Sequence, residues 1–255
     1  MRSDEDLNPC PGEKTSMSPE DLLRYKTEAA REAAAEIRSG MVVGLGAGST
    51  AALALKRLAD LLAEGHLDKI LGVPCSNEVG REAARLGIPL TTLEKNPVID
   101  LTIDGADEVD PQLNLIKGLG GALLREKIVA QASRREIIVV DETKLSPALG
   151  SRSPLPIEVV PFGWLAQAEY IRTLGGDWQV RSVKERRPFL TDQGNFILDV
   201  RFGPIADPES LALALDGRAG IAAHGLFIGL ASEVIVAGPG GVRRLTRENA
   251  PQRPE

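Results

Sequence analysis

Short apolar runs that alternate with helical patterns dominate the sequence between residues 41 and 144. The apolar runs are MVVGLG, KILGVPCS, IDLTIDGADEVD and REIIVVDETK, and the helical segments are STAALALKRLADLLAEG, NEVGREAARLG and ALLREKIVAQAS. Buried strands that alternate with helices predict a Rossmann-like α/β fold, a mostly parallel sheet with helices on both faces. Right-handed crossovers place the carboxyl ends of the strands along one edge, where open α/β sheets bind ligands.

The pattern changes after residue 151. GWLAQAEYIRTLGG predicts an amphipathic helix, DWQVRSV a strand, PFLTDQGNFILDVRF a hairpin with its turn at 192–195, and PESLALALDG a further helix. Residues 152–222 are therefore predicted to form a small α+β second domain. The segment GLFIGLASEVIVAGPGG predicts a hairpin that returns the chain, so the Rossmann-like catalytic domain is expected to comprise residues 18–151 and 223–245.

Both ends of the chain differ from the middle. Residues 1–17 are polar and rich in proline, serine and charge, which predicts a disordered tail, and residues 246–255 are expected to be a flexible tail. Ser18, Pro19 and Asp21 predict a helix start, with Ser18 as the cap and Asp21 at the capping-box position. This first helix is expected to run to about Arg38.

Composition and charge exclude two classes of partner and favour one compartment. The 255-residue chain carries a net charge of −6, whereas a general nucleic-acid binder usually carries a basic field, so no nucleic-acid partner is expected. No apolar run approaches the roughly 20 residues that span a bilayer, and the N-terminus lacks the apolar region of a secretory signal, so no membrane partner is expected. Cys10 and Cys75 do not make a disulfide framework, which favours a cytoplasmic location.

A glycine turn after the first strand predicts an anion site. Gly44, Gly46 and Gly48 lack the dinucleotide spacing, and no lysine directly follows the last glycine as in a triphosphate loop. Free backbone N–H groups, the hydroxyls of Ser49 and Thr50 and a helix dipole suit one phosphate monoester or an array of sugar hydroxyls. The alternative is a turn that only lets strand and helix pack closely.

Further charged residues follow the later strands. Asp104 and Asp107 could bind hydroxyls or a metal, or move protons; the alternative is a solvated acidic loop. Lys117 precedes a glycine-rich loop and could stabilise an oxyanion, and Glu126 could serve as a base if its pKa is raised toward neutrality. The alternative for both is a surface charge. Lys144 could bind phosphate or be a turn lysine.

In chain order these stretches resemble the ribose-5-phosphate isomerases of type A. The matching text is GAGST at 46–50, DGAD at 104–107, KGLGGALLREK at 117–127 and DETK at 141–144. The resemblance covers nearly the whole chain. Ala47 stands where the family commonly has threonine, so a shifted affinity is expected rather than a lost activity.

The resemblance implies that ribose 5-phosphate and ribulose 5-phosphate are interconverted through an enediolate, without metal or cofactor, in the non-oxidative pentose phosphate pathway. It implies that Glu126 moves the proton between C2 and C1, that Lys117 and the 118–121 amides stabilise the oxyanion, and that Asp104 and Asp107 hold hydroxyls and assist ring opening. The implied substrate contacts are Lys26, Ala47, Gly48, Ser49, Thr50, Gly105, Ala106, Gly118, Leu119, Gly120, Asp141 and Lys144. The phosphate is expected on the lysines and hydroxyls of this set, and a homodimer is implied.

The second hypothesis is a non-catalytic module of the same fold that senses a sugar phosphate. Such a module needs a phosphate turn and hydroxyl contacts, but neither a base nor a partner for an oxyanion. Because Glu126 and Lys117 stand in the matching spacing, the enzyme is favoured over the sensor; the fold alone would not decide between them.

Overall fold

The structure is a computed structural model that describes residues 18–183 and 187–246. The helices are α1 (Pro19–Ala34), α2 (Ser49–Ala63), α3 (Asn77–Arg85), α4 (Leu123–Gln131), α5 (Trp164–Thr173) and α6 (Pro208–Asp216). The strands are β1 (Val42–Leu45), β2 (Leu71–Pro74), β3 (Leu101–Asp104), β4 (Glu108–Val109), β5 (Leu115–Ile116), β6 (Glu136–Asp141), β7 (Leu155–Val159), β8 (Asp177–Val180), β9 (Phe196–Arg201), β10 (Ile221–His224), β11 (Leu226–Phe227), β12 (Glu233–Gly238) and β13 (Gly241–Thr246).

The main sheet has the spatial order β13-β12-β6-β3-β1-β2. Its pairs are parallel except for β12 with β13. Alternate side chains of β6 enter two different cores: Ile137 and Val139 pack with α1, α2 and α3, and Ile138 and Val140 pack with α4 and the short strands β4, β5 and β11. The Rossmann-like, mostly parallel sheet is therefore confirmed, together with its cover on both faces.

Glycine lets α4 approach the middle of this sheet. A Cβ atom on Gly44 of β1 would lie 2.9 Å from Cγ1 of Val129 and still closer to Oγ1 of Thr102. Any side chain at this position would therefore push α4 off the sheet. The residue that sequence analysis regarded as part of a ligand turn thus serves packing, while Gly46 and Gly48 lie at the edge.

A second sheet, antiparallel, has the order β10-β7-β9-β8 and packs on α5 and α6. The predicted turn near residue 193 is present, because the Gly194 amide donates to the Thr191 carbonyl at 2.9 Å. The run before this turn is not a strand of the hairpin, and this prediction is wrong. Both edges of β9 are occupied by β7 and β8, so the run can form only an isolated bridge between Pro188 and Ser182.

The hairpin near the end of the chain lies one element later than predicted. β12 pairs with β13 across the turn formed by Pro239 and Gly240, and Gly241, with φ of +89°, begins β13. The GLF part of the predicted hairpin forms β11, which pairs with β5 in a three-stranded sheet with β4. The acidic loop predicted after β3 supplies β4 to this sheet.

The first helix begins where the sequence predicts and ends earlier. Ser18 caps α1 and accepts from the Asp21 amide at 3.1 Å, but the helix ends at Ala34 rather than near Arg38. Residues 1–17 and all of the second predicted tail beyond Thr246 lie outside the described residues. The division into two domains stays a prediction. Within the described residues, no helix has the length and apolar character needed to cross a membrane.

Candidate active site

The segments that follow β1, β3 and β6 meet at one edge of the main sheet, because these strands run parallel. Together with the loop after β5 and the first turn of α4, they line a cavity that opens to solvent. The cavity is lined by Ala47, Gly48, Ser49, Thr50, Gly105, Ala106, Asp107, Lys117, Gly118, Gly120, Glu126 and Lys144. All four motifs that the sequence singled out therefore contribute to one site.

The glycine turn leaves the start of α2 open to the cavity. The N-cap is Gly48, with φ of +95°, and it has no side chain with which to cap the first amides of the helix. Lys26 of α1 reaches over and donates to Oγ of Ser49 at 3.1 Å, and it lies 4.0 Å from Asp141. The uncapped amides of α2, the Ser49 hydroxyl and the ammonium groups of Lys26 and Lys144 form an anion-binding arrangement.

Asp104 is held rigidly at the end of β3. Its Oδ1 accepts from the amides of Ala47 at 2.9 Å and Gly105 at 2.7 Å. Gly46 allows this contact, because a Cβ atom there would lie 2.3 Å from Oδ1 of Asp104. The glycine turn therefore shapes the acidic part of the site as well as the anion site.

Lys117 is the centre of the charge network. Its side chain is 2% exposed, and Nζ lies 3.0 Å from Oδ2 of Asp104, 2.9 Å from Oε1 of Glu126 and 2.6 Å from the Gly105 carbonyl oxygen. Burial alone would lower the pKa of Lys117, but the two carboxylates outweigh burial and raise it above its usual value. The ammonium group therefore stays charged inside the site.

Glu126 lies in the first turn of α4, with one oxygen on Lys117 and the other facing no partner. Its Oε2 is buried without a hydrogen-bond partner among the described residues. Burial raises the pKa of Glu126 to about 7, although Lys117 opposes this shift. A carboxylate with such a pKa and a free oxygen can accept a proton from a bound molecule near neutral pH.

The glycine-rich loop after Lys117 turns its amides in two directions. The Leu119 amide donates to Oδ2 of Asp107 at 2.9 Å, and the Gly121 amide donates to the Gly118 carbonyl at 3.0 Å. Gly118 and Gly120 line the cavity. Among the loop amides in the described part of the chain, those of Gly118 and Gly120 are therefore the ones available to a ligand.

Four of the predicted contacts do not line the cavity itself. Asp104 is behind Lys117, Lys26 is on Ser49, and Asp141 caps the turn after β6 by accepting from the Thr143 amide at 3.0 Å. Leu119 belongs to the loop, with its amide on Asp107. Direct substrate contact by these four residues stays a prediction.

Sequence reasoning missed three neighbours of the site. Cys75, at the end of β2, is buried with its sulfur near the carboxylates of Asp104 and Glu126, and burial raises the pKa of its thiol well above the usual range. Arg181 and Phe189 reach the glycine-rich loop from beyond β8. None of the three lies in a motif, because only the topology brings them to the site.

The three buried groups of Cys75, Asp104 and Glu126 could in principle offer ligand atoms to a metal. Their ligand atoms lie within 4.8 Å of one another. The ammonium of Lys117 already contacts both carboxylates. A metal would have to displace this lysine and deprotonate a thiol with a raised pKa, so the donor set does not suit one.

The sequence is similar to that of one protein family over most of its length. The family model described as ribose 5-phosphate isomerase A (phosphoriboisomerase A) matches residues 71–241. The ribose-5-phosphate isomerase A of Chloroflexus aurantiacus is 59% identical over 221 residues, which cover 87% of this chain and 92% of that protein. The chain belongs to the ribose-5-phosphate isomerase A family. The isomerase A of Roseiflexus castenholzii is 49% identical over 229 residues, covering 90% and 98% of the two chains.

Solved structures of the family agree with this fold. A D-ribose-5-phosphate isomerase in complex with phospho-erythronic acid superimposes with a TM-score of 0.87 at 40% identity, covering 89% of this chain and 99% of that one. The ribose 5-phosphate isomerase of Plasmodium falciparum gives a TM-score of 0.86 at 38% identity, covering 89% and 100%. The family resemblance inferred from the four motifs is confirmed, and the sensing module is not favoured.

Proposed function

We propose that this chain interconverts ribose 5-phosphate and ribulose 5-phosphate by a single-base proton transfer, with Glu126 as the base. The observation that carries the assignment is the buried Glu126 carboxylate, which lines the cavity and has one oxygen on Lys117 and the other without a hydrogen-bond partner among the described residues. The uncapped start of α2, Ser49, Thr50 and Lys144 receive the phosphate of the same substrate, and Lys26 supports Ser49.

The reaction begins with ring opening, which Asp107 assists by holding a sugar hydroxyl at the cavity, while Asp104 holds Lys117 in place. Glu126 then removes the proton from C2. The C2–H electron pair forms the C1–C2 double bond while the carbonyl electrons move onto O1, which gives an enediolate. The positive field of Lys117 and the amides of Gly118 and Gly120 stabilise this charge, since preorganised donors act strongly in a water-poor site.

The second half of the reaction reverses these roles. Glu126 returns its proton to C1, the electrons of the double bond form the new C1–H bond, and the O2 electrons form the ketone at C2. The proton that leaves the O2 hydroxyl is the one that O1 gains, so the net change is one proton moved from C2 to C1 and one moved from O2 to O1. The raised pKa of Glu126 suits both steps, because the group must take up and release one proton near neutral pH.

The same proposal places the enzyme in the cytoplasm as a homodimer. A phosphorylated sugar does not cross a bilayer unaided, because burying its charge in hydrocarbon is costly. The buried free thiol of Cys75 suits a reducing compartment. Phe162, two residues before α5, is 91% exposed, and Leu165 in the first turn of that helix is 55% exposed, which favours an oligomer that covers them.

Replacing Glu126 by glutamine tests the assignment. Glu126→Gln keeps the shape and one hydrogen bond to Lys117 but cannot accept the C2 proton, so we expect kcat to fall about 10²–10⁴-fold while a non-reactive analogue still binds. The assays contain EDTA, so that turnover by the unmodified enzyme also excludes an obligate metal. In the unmodified enzyme, substrate deuterated at C2 should carry part of its label to C1.

Glu78→Gln, an exposed carboxylate on α3, serves as the matched control and should leave kcat unchanged. If Glu126→Gln turns over within tenfold of the unmodified enzyme, Glu126 is not the base. In that case Asp104 or Asp107 becomes the candidate.

A further inference from the structure

A side chain from the antiparallel sheet reaches into the catalytic loop. Arg181 directly follows β8, and its amide donates to the Ile197 carbonyl at 2.8 Å. Its guanidinium group forms a two-pronged ion pair with Asp199 of β9, in which Nε lies 2.9 Å from Oδ2. The side chain is 14% exposed, so the strand geometry and the ion pair fix where its remaining donor points.

That remaining donor contacts the loop of residues 118–121. Nη1 of Arg181 donates to the carbonyl oxygens of Gly118 and Leu119, each at 2.9 Å. The Gly118 carbonyl also accepts from the Gly121 amide. A charged donor on two successive carbonyls is stronger than a neutral one, and it ties down a stretch in which three of four residues are glycine.

The geometry of the peptide bond couples this contact to the direction of the Gly120 amide. In a planar trans peptide, the C=O and N–H groups point in opposite directions. The Leu119 carbonyl points to Arg181, so the Gly120 amide of the same peptide points away from Arg181, toward the side on which Gly120 lines the cavity. The preceding peptide is held at both ends, by Arg181 on the Gly118 carbonyl and by Asp107 on the Leu119 amide.

Phe189 supports the same loop from the same side. A Cβ atom on Gly121 would lie 2.6 Å from Cζ of Phe189, and the Arg181 guanidinium lies 5.9 Å from the centre of this ring. The aromatic ring closes the space behind the loop. Rotation of the Gly118 or Leu119 carbonyl away from Arg181 would therefore cost both a charged hydrogen bond and packing.

We propose that Arg181 is a positioning residue that aims the Gly120 amide at the oxyanion of the enediolate. This inference rests on the proposed function, in which that amide stabilises the charge. Arg181 itself does not touch the substrate. It acts by fixing two carbonyls on the outer side of the loop, so that the amide on the inner side is already oriented when charge develops.

The test compares two ligands that differ in one charge. A four-carbon sugar acid phosphate carries a carboxylate where the enediolate carries its negative charge, and a five-carbon sugar alcohol phosphate carries a neutral hydroxyl there. In Arg181→Met, we expect the affinity for the acid to fall about tenfold or more and that for the alcohol to change less than about threefold. We also expect kcat to fall at least about tenfold, with a smaller change in KM.

Arg172→Met, at an exposed arginine of α5, is the matched control and should leave acid binding and kcat unchanged. Thermal unfolding of both variants separates stability from positioning. Where Arg181→Met does not fold, Arg181→Lys replaces it, because one ammonium cannot hold Asp199 and both carbonyls together, and the same selective loss of acid binding is expected in smaller size.

The outcomes are distinct. Equal losses for both ligands, no loss for either, or the same loss of kcat in Arg172→Met as in Arg181→Met would overturn the role of Arg181. If the unmodified enzyme already binds acid and alcohol equally, the oxyanion role of the loop fails and the inference fails with it. If Glu126→Gln stays active while the Arg181 variant loses acid binding selectively, the base is wrong and the loop assignment stands.

Discussion

Lys144 lies in the turn after β6 and lines the cavity with Ser49 and Thr50. A group that binds the phosphate, away from the reacting carbons, supplies similar binding energy to the ground state and the transition state. We therefore expect Lys144→Ala to raise KM much more than it lowers kcat. A lost charged contact costs about 1.5–3 kcal/mol, or roughly 10–150-fold in KM.

Steady-state kinetics of Lys144→Ala beside Lys56→Ala, an exposed lysine on α2, measure this effect. The control should match the unmodified enzyme. A large loss of kcat at unchanged KM would show that Lys144 acts on the reacting end of the sugar and not on the phosphate.

Ala47 is the one position in the phosphate turn where the chain departs from the common family pattern. Its amide is already engaged by Asp104, and its side chain lines the cavity. We expect Ala47→Thr to lower KM modestly, because one neutral hydrogen bond contributes about 0.5–1.5 kcal/mol.

Ala47→Val is nearly the same shape as the threonine variant and has no hydroxyl, so it isolates the hydrogen bond. The difference in KM between the two variants measures the contribution of the hydroxyl. If both weaken binding alike, the turn has no room for a branched side chain and the hydroxyl is irrelevant.

The site residues that could be predicted from the sequence are those that lie within its motifs. Asp107, Lys117 and Glu126 were predicted because strand ends and glycines mark such places, and the structure brings them to one cavity. Cys75 and Arg181 could not be predicted. A buried thiol after an apolar run and an arginine after a strand are ordinary features until strand order places them against the site.

The helix α4 presents neighbouring residues to two environments. Glu126 faces the cavity, while Lys127 lies 3.4 Å from Nδ1 of His224 in β10. The Leu226 amide donates to the same nitrogen at 3.2 Å, so Nδ1 carries no proton and Nε2 donates to Asp216 of α6 at 3.0 Å. Burial, reinforced by Lys127, lowers the pKa of His224 to about 4.

This histidine makes the junction of α4, β10 and α6 sensitive to acid. The folded pKa of His224 lies below its ordinary value near 6.5, so between these values the unfolded chain binds a proton that the folded chain does not. Stability from this group is complete above about pH 6.5 and is lost as pH falls toward 4, by up to about 1.4 kcal/mol per pH unit.

We expect His224→Gln to flatten this part of the pH profile, since glutamine can accept from the Leu226 amide and donate to Asp216 without titrating. Denaturant unfolding of both proteins between pH 4 and 7.5 measures the difference in slope. His66→Gln, an exposed histidine, is the control. Parallel profiles for His224→Gln and the unmodified protein would show that His224 titrates normally.

Among the elements, those of the parallel sheet were predictable and the pairing of the antiparallel strands was not. Glycine and proline mark the ends of β1, α2 and β2 in the sequence itself. Alternating residues before and after 192–195 indicate two strands, but nothing local says that β9 already has a partner on each edge. Likewise, the apolar residues of β11 join a three-stranded sheet that brings together segments from distant parts of the chain.

The whole molecule is proposed to be a homodimer. Sedimentation equilibrium should give twice the 27.2 kDa mass of one chain. If the dimer interface covers Phe162, a carboxylate at this position would be buried in it at a cost. Phe162→Glu should then shift the equilibrium toward the monomer. Leu213→Glu, 75% exposed on α6, is the comparison, and a monomer of the unmodified chain at all concentrations would refute the dimer.

The strand order of the main sheet also has a consequence for synthesis of the protein on the ribosome. β6 is fully buried and apolar except at its ends, and one of its two edges is covered by β12, which emerges only after the whole antiparallel sheet and α6 have been made. Until then the nascent chain carries an open apolar strand edge, the kind that pairs with other chains. Translation that stops before residue 233 therefore releases an aggregation-prone fragment rather than a weakened enzyme.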